Sequence, residues 1–213
     1  MSRVRVHNFT ISLDGFGTGE GLSPDAPFGH AGRRLHEWMF ATRFAHREVL
    51  GEPGGSDGVD AALAERHGPG IGAEIMGAGK FGPPGWQDDP TWRGWWGEDP
   101  PFHTPTYVLT HRPRPPLEME GGTTFHFVTT GIEDALERAF AAADGRHVRL
   151  MGGAATVRQY LAAGLVDDLH LVLVPMLFGA GERVFPEMSP PPGYRCVEHT
   201  ATDAVVHLRF ERR

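Results

Sequence analysis

The stretch that decides the fold is VRLMGGAATVRQYLAAGLVDDLHLVLVP, residues 148–175. It opens with the short apolar pattern of a strand, and the pair Gly152-Gly153 follows at once. The segment ATVRQYLAAG is typical of a helix that ends at Gly164, and VDDLHLVLVP is typical of a second buried strand. A strand, a crossover helix and a strand in this order predict a parallel β-α-β unit.

Outward from this unit, strands and helices continue to alternate. A helix is predicted at 131–143, where Gly131 precedes the segment IEDALERAFAAA. The segment carries acids in its first turn, where the helix dipole favours them. The pattern as a whole predicts one α/β domain over residues 1–213. The other predicted elements are a strand at 3–12, a loop at 13–32, an amphipathic helix at 33–50, a short helix at 58–67, strands at 71–76, 106–110 and 123–129, and an antiparallel hairpin near 194–200 and 204–211.

Glycine and proline are unusually frequent, with 29 and 18 copies in 213 residues. Residues 83–105 form a Gly/Pro-rich insertion that also holds four of the five tryptophans. Indole rings can stack on a flat heterocycle, cover a site as a lid, fill a subunit interface or build a second small core. The sequence leaves these roles open.

Charge and composition exclude several classes of protein. The net charge of −7 and the pI near 5.9 argue against a nucleic-acid-binding surface. We expect no membrane span, because no apolar run reaches about 18 residues, and no signal peptide, because the N-terminus has the pattern of a strand. The single Cys196 rules out a disulfide framework within the chain. A cytoplasmic location is the simplest expectation.

No metal site is expected either. The pair His36-Glu37 would need a histidine at position 40 to complete H-E-x-x-H, and Phe40 stands there. The other histidines show no spacing typical of metal ligands.

Three loops that follow predicted strands carry glycines or cations. GAGKFG at 77–82 matches G-x-G-x-x-G, but Pro83 and Pro84 prevent the long helix that a dinucleotide fingerprint needs. The backbone of this loop and Lys80, the only lysine, could still hold an anion, although a plain tight turn explains the residues equally well.

The other two loops are Gly152-Gly153, at the start of a helix, and Thr110-His111-Arg112, after the strand TYVLT. A helix N-terminus and a cluster of hydroxyl and cationic groups both suit phosphate, while close packing and an exposed loop are the simpler alternatives. Because parallel strands end at the same edge of a sheet, the three loops together predict a dinucleotide phosphate site.

The order of these features resembles the dihydrofolate-reductase-like superfamily, in particular the reductase domain of the bifunctional riboflavin-biosynthesis deaminase-reductase. The resemblance covers nearly the whole chain. It implies a three-layer α/β/α fold with a mixed, mostly parallel sheet and a C-terminal antiparallel hairpin. The residues that carry it are TISLDGF (10–16), IMGAGKFG (75–82), YVLTHRPR (107–114), the block 148–185 and the closing hairpin.

The resemblance also implies an NADPH-dependent reductase. Ala78 departs from the family pattern, which usually has arginine there, so NADH is possible as well. The cofactor-binding residues implied are Thr10, Ile11 and Leu13 beside the nicotinamide, Gly77, Ala78, Gly79 and Lys80 at the phosphates, Thr110, His111 and Arg112 near the adenosine 2′-phosphate, and Gly152, Gly153, Ala154, Ala155 and Thr156 at the pyrophosphate.

Reduction also needs a proton for the other end of the C=N or C=O bond. Asp14, His36 and Glu37 are the candidates, with Glu37 at the helix position where dihydrofolate reductases carry their substrate-binding acid. A turn residue and a solvated helix residue are equally good explanations of Asp14 and Glu37. Trp38 and Arg183 are the candidate substrate-binding residues.

Three functions remain open. The first is a reductase like the 5-amino-6-(5-phosphoribosylamino)uracil reductases, acting on a small heterocyclic, carbonyl or imine substrate. The second is a dihydrofolate reductase, and the third is a non-catalytic nucleotide-binding module with the same fold. Similar proteins often form homodimers, so we expect a homodimer here.

Overall fold

A computed structural model describes residues 2–66, 68–185 and 193–213. None of the helices in these ranges has the length and apolar character needed to cross a membrane. The strands are β1 (Val4–Ser12), β2 (Phe16–Thr18), β3 (Ile71–Gly77), β4 (Pro105–Leu109), β5 (Leu117–Glu118), β6 (Thr124–Val128), β7 (His147–Gly152), β8 (Asp168–Val174), β9 (Glu182–Arg183), β10 (Tyr194–Ala201) and β11 (Val206–Arg212). The helices are α1 (Glu37–Phe40), α2 (Arg43–Ala45), α3 (Val59–Glu65), α4 (Ala78–Phe81), α5 (Ile132–Ala143) and α6 (Ala154–Ala162).

The main sheet has the strand order β10-β11-β8-β1-β7-β3-β4-β6-β5. The six strands from β8 to β6 pair in parallel, whereas β5, β11 and β10 pair antiparallel. The chain ends in the β10–β11 hairpin, and β2 pairs with β9 in a small second sheet. The predicted mixed, mostly parallel sheet with a C-terminal antiparallel hairpin is therefore confirmed.

One face of the sheet, which we call the first face, packs against α5 and α6. Alternate strand residues such as Val148 and Leu150 are fully buried there, against small helix residues such as Ala135 and Ala139. Period-two strands and a helix with one apolar stripe meet in this way because each has a single apolar side to hide. This face is the largest apolar core among the described residues.

The opposite side, the second face, is covered in two parts. Helices α1 to α3 pack on the β8 side, where Trp38 and Phe44 are buried with Val172. The insertion at 83–105 packs on the β3, β4 and β6 side, with Trp86 buried against Phe81 at a ring distance of 4.7 Å. Trp86, Trp92 and Trp96 of the insertion therefore build a second core, which was one of the roles that the sequence left open.

The predicted continuous helix at 33–50 is wrong. A 3-10 helix at Gly29–His36, α1, α2 and a π-helical turn at His46–Leu50 take its place. Gly32 has a non-helical conformation (φ 56°, ψ −149°), and Thr42 is extended and caps α2 by accepting a hydrogen bond from the Ala45 N–H. Thr42 also bridges to Ser56, so tertiary pairing interrupts the helical pattern. The short strands β2, β5 and β9 were not predicted from the sequence.

Candidate functional site

The candidate site lies at the edge of the sheet where the parallel strands end. Strands β7, β3 and β4 are neighbours, so the loops after Gly152, Gly77 and Leu109 lie side by side. The predicted convergence of the three loops is confirmed. The carboxyl ends of parallel strands are also where open α/β sheets bind their ligands.

The N-terminus of α6 offers unpaired backbone donors at this edge. The Val157 N–H makes the first turn's hydrogen bond, to the Gly153 carbonyl at 3.0 Å, and no side chain of the described residues caps the helix. The N–H groups of Ala154, Ala155 and Thr156 therefore have no acceptor within the helix. A Cβ added at the preceding Gly153 would meet no described atom within 4 Å, so there is open space beside the start of the helix.

The loop after β3 fits tightly against the same helix. A Cβ at Gly77 would collide with the Thr156 hydroxyl oxygen, so any larger residue there would displace the Thr156 side chain. The chain then makes the single turn of α4, with Gly82 as its C-cap residue. A Cβ at Gly79, within this turn, would point into open space. The literal G-x-G-x-x-G motif thus starts no long helix, in agreement with the sequence argument.

The side chain of Lys80 turns over the second face of the sheet. Its ammonium lies 5.9 Å from the centre of the Trp96 ring, and the side chain is half-buried. Burial and the nearby charge of Arg149 lower the pKa of Lys80 from its usual value. The backbone of Lys80 stays at the sheet edge, while its charge is placed elsewhere.

The loop after β4 is held by its own hydrogen bonds. Thr110 is buried, its N–H donates to Val128, and its hydroxyl accepts from the Arg112 N–H at 3.3 Å. His111 is exposed. The exposed Arg112 guanidinium pairs with Asp88 of the insertion. Such a pair contributes little to stability, so Arg112 can be released toward a ligand at small cost.

At the end of β1, the three predicted residues differ in exposure. Thr10 is buried on the second face, and its hydroxyl accepts a hydrogen bond from the Trp38 indole at 3.2 Å. Ile11 is buried in the core of the first face, whereas Leu13 is 55% exposed. The Leu13 N–H donates to Met176, which ties this loop to the one after β8.

Asp14 clamps two loops together. Its carboxylate accepts hydrogen bonds from the Ser12 hydroxyl at 2.6 Å and from the N–H groups of Phe178 and Gly179 at 3.0 and 2.8 Å. Burial alone would raise the pKa of Asp14, but these hydrogen bonds lower it to about 2. Asp14 is therefore ionised at neutral pH, and its geometry favours a positioning role. Its catalytic role stays a prediction.

Of the other catalytic and substrate candidates, Trp38 lies on the second-face side with α1, whereas Arg183 lies beside α6, because the Arg158 side chain donates to its carbonyl at 2.7 Å. Glu37 is exposed at the start of α1, and the next residue, Trp38, is buried with its ring edge against His207. Burial and the charge of Lys80 lower the pKa of His36 to about 3, so His36 is neutral. The guanidinium of Arg183 stacks 4.6 Å above the Phe16 ring. The roles of these residues stay predictions.

Sequence reasoning missed a buried ion pair. Glu74 on β3 and Arg149 on β7 are direct cross-strand neighbours, and the Arg149 guanidinium donates to the Glu74 carboxylate. Burial raises the pKa of Glu74, and the Arg149 charge opposes that rise. The available signal was a charged residue inside each of two apolar strands, IGAEIMG and HVRLMG, because such charges are rarely buried without a partner.

A hydrogen-bonded histidine chain was also missed. The Asn8 N–H donates to His170 Nδ1, so His170 Nε2 carries the proton toward His207 Nδ1 at 3.0 Å, and His207 Nε2 donates to Asp60 at 2.9 Å. Each of the two imidazoles thus donates one hydrogen bond and accepts one. In the part of the chain that the structure describes, no cluster of three or more His, Cys, Asp or Glu has a geometry suited to a metal ion.

Comparison with solved structures gives the same fold. A protein named as a riboflavin biosynthesis protein from Shewanella sp. PV-4 is 16% identical, with a TM-score of 0.61, and the match covers 100% of this chain and 99% of that chain. A pyrimidine reductase-like protein from Corynebacterium diphtheriae is 14% identical, with a TM-score of 0.56, and the match covers 100% of this chain and 92% of that one.

A third structure is a diaminohydroxyphosphoribosylaminopyrimidine deaminase/5-amino-6-(5-phosphoribosylamino)uracil reductase from Thermotoga maritima. It is 15% identical with a TM-score of 0.57, and the match covers 100% of this chain but only 57% of that protein. No curated protein sequence is significantly similar to this chain. The family model of the RibD C-terminal domain matches residues 5–208. The chain therefore belongs to the RibD C-terminal domain family.

Proposed function

We propose that the protein is an NADPH-dependent reductase that transfers hydride to a small heterocyclic, carbonyl or imine substrate. The observation that carries the proposal is the edge of the sheet, where three glycine- or cation-bearing loops meet beside the unpaired N–H groups of α6. Membership of the RibD C-terminal domain family and the reductase names of two structural neighbours support it.

The residues at this edge fit a dinucleotide. The N–H groups at the start of α6 suit a pyrophosphate, because they are unpaired and lie at the positive end of the helix dipole. Open space at Gly79 and Gly153 leaves room for the phosphates to approach the backbone. Thr110, His111 and Arg112 lie two strands away, where the adenosine end of an extended cofactor would reach.

The protein's own contribution is to bind and orient. Bound NADPH would supply the hydride. Thr10 and Leu13 would border the nicotinamide, and Asp14 would fix their loop through its contacts with Phe178 and Gly179. We propose Glu37 as the proton donor, because it is open to solvent and precedes Trp38, which anchors Thr10.

We propose a preference for NADPH over NADH. Ala78 supplies no charge, so Arg112 is the cation that would meet a 2′-phosphate. The substitution Asp88→Asn removes the charge that pairs with Arg112 and leaves the guanidinium available to the 2′-phosphate. It should therefore tighten NADPH binding and leave NADH binding unchanged.

The site is tested most directly at Gly79. The substitution Gly79→Ala places a methyl group in open space within the turn of α4, so stability should be unchanged. If the phosphates lie against this backbone, the affinity for NADPH falls about tenfold, as a loss of about 1.4 kcal/mol would produce. Enhancement of NADPH fluorescence measures binding, and thermal unfolding measures stability.

The matched control is Gly68→Ala, which also adds a methyl group in open space but lies in the loop before β3. It should leave both measurements unchanged. If neither NADPH nor NADH binds the wild-type protein at millimolar concentration, the enzyme assignment is wrong.

We also propose that the protein acts as a homodimer. Sedimentation equilibrium gives the mass in solution, which should be twice the 23.3 kDa of the chain.

A further inference from the structure

A buried pair of opposite charges lies in the middle of the second face. Glu74 is 1% exposed and Arg149 9%. One carboxylate oxygen of Glu74 accepts from Arg149, but its other oxygen and the Arg149 Nε have no hydrogen-bond partner among the described residues. Buried polar atoms without partners are rare in folded proteins. Arg149 thus keeps a donor for which the described residues supply no acceptor.

The side chain of Lys80 lies over the same part of the second face as Glu74 and Arg149. It follows the end of β3, three residues beyond Gly77, and its side chain turns over the face instead of into the cofactor edge. Among the described residues no carboxylate lies within ion-pair distance of its ammonium. Trp96, over which Lys80 lies, packs in the same cluster as Met76 and Met151, the next second-face residues after Glu74 and Arg149. The charge of Arg149 accordingly helps to lower the pKa of Lys80.

The charged side chains have apolar neighbours on one side and the uncharged imidazole of His36 on the other. Met76 and Met151, next on this face along β3 and β7, lie in the aromatic core of the insertion together with Trp96. On the other side, His36 is neutral, and its Nδ1 is buried without a hydrogen-bond partner among the described residues.

The charges do not balance. In their ionised forms Lys80 and Arg149 carry two positive charges and Glu74 carries one negative charge, while the neighbouring Arg5 is already paired with Asp168 at 3.7 Å. The remaining charge is +1. A carboxylate, with a charge of −1, neutralises it, whereas a phosphate monoester with a charge near −2 leaves an excess of negative charge in a half-buried place.

We propose that Lys80 and Arg149 hold a carboxylate of the substrate against the second face, with Trp96 beside the apolar body of the same molecule. Glu74 positions Arg149 for this contact. The substrate is then a small carboxylate-bearing carbonyl or imine compound. The identification of this compound as the substrate rests on the proposed reductase function. The carboxylate site itself is inferred from the geometry of the charged residues and does not depend on that function.

Three probes with the same phenyl ring test the site. Benzoate carries one negative charge, benzamide none, and phenyl phosphate nearly two at neutral pH. Their dissociation constants are measured by calorimetry, both with the cofactor-free protein and with saturating NADPH. We expect benzoate to bind at least about tenfold more tightly than either of the others, because a charged hydrogen bond contributes on this scale.

Two variants of Lys80 locate the effect. Lys80→Met keeps the length and apolar stem and should reduce benzoate binding to the level of benzamide, while Lys80→Arg should retain the preference. Arg138→Met is the matched control, because Arg138 is an exposed cation on α5, across the sheet. Neither Lys80 variant should alter the relative affinities for NADPH and NADH.

The outcomes separate the possibilities. Equal binding of benzoate and benzamide, or an unchanged benzoate affinity in Lys80→Met, overturns the site. Tighter binding of phenyl phosphate overturns the choice of carboxylate, and a shift toward NADH in Lys80→Met assigns the lysine to the cofactor instead. Failure of NADPH to bind overturns the reductase function, while the data on the cofactor-free protein still decide the carboxylate site.

Discussion

The two faces of the central sheet bury different chemistry. Under α5 and α6, the first face buries mainly apolar side chains together with Tyr107 and Tyr160, and the Tyr160 hydroxyl donates to the Ile132 carbonyl at 2.8 Å. The second face buries an ion pair, a histidine chain and the Thr10–Trp38 hydrogen bond. Burying polar groups costs free energy even when they are paired, so their concentration on one face indicates that this face serves function.

The largest effect is expected at the ion pair. Arg149→Met leaves the Glu74 charge buried and unpaired, which should lower the free energy of unfolding by about 3–5 kcal/mol. Adding Glu74→Leu should restore most of the loss, because the uncompensated charge disappears. Urea denaturation of both variants measures this, and an equal loss in the single and double variants would contradict it.

Leu150→Ala is the matching change on the first face. It should cost about 2–5 kcal/mol through lost burial and a cavity. No second truncation should recover that loss, because it comes from missing contacts and involves no unpaired charge. We therefore expect a single compensating substitution to restore the lost free energy of unfolding on the second face but not on the first.

Acid should weaken the second face first. Burial, reinforced by the neighbouring His7 and His207, lowers the pKa of His170 to about 3. A depressed histidine pKa means that the folded state favours the neutral ring. Its contribution to stability is complete above the unfolded pKa near 6.5 and is lost as the pH falls toward 3, by about 1.4 kcal/mol per pH unit.

Replacing the ring by a neutral amide in His170→Gln should remove this part of the pH dependence. The control is His199→Gln, because His199 is exposed on β10, two strands away from β8. Unfolding free energies between pH 7 and 4 give the two slopes. Identical slopes in the wild type and His170→Gln would show that His170 does not titrate on unfolding.

The smallest effects on stability are expected from the loss of single buried hydrogen bonds, and two such variants should differ in their effect on the kinetics. Tyr160→Phe and Trp38→Phe each remove one buried donor, and each should cost about 1 kcal/mol. Only Trp38→Phe frees the Thr10 hydroxyl, so only this variant should alter the KM for NADPH or the substrate. If Tyr160→Phe changes the kinetics as much as Trp38→Phe does, the functional division between the two faces is wrong.

The first face could be predicted well from the sequence. Alternation in strands such as HVRLMG and the period of α5 depend on local residue order, and the sheet edge followed from the strand–helix–strand pattern. The broken helix at 33–50 could not be predicted, because the pairing of Thr42 with Ser56 joins segments 14 residues apart in the chain.

The charges of the second face show the same limit. Glu74 and Arg149 are 75 residues apart in the chain, and neither residue alone indicates the other. The direction of Lys80 likewise depends on Trp96 of the insertion, so its loop could be identified from the motif but its side chain could not be placed.

For this protein, the sequence by itself determined the long strands of the main sheet, the two helices of the first face and the edge where their loops meet, because hydrophobic periodicity and glycine position are local signals. Only the tertiary structure decided which buried charges meet, which imidazole carries which proton and where the single lysine points. Those properties depend on distances between strands that are remote in the chain, and neither composition nor spacing records such distances.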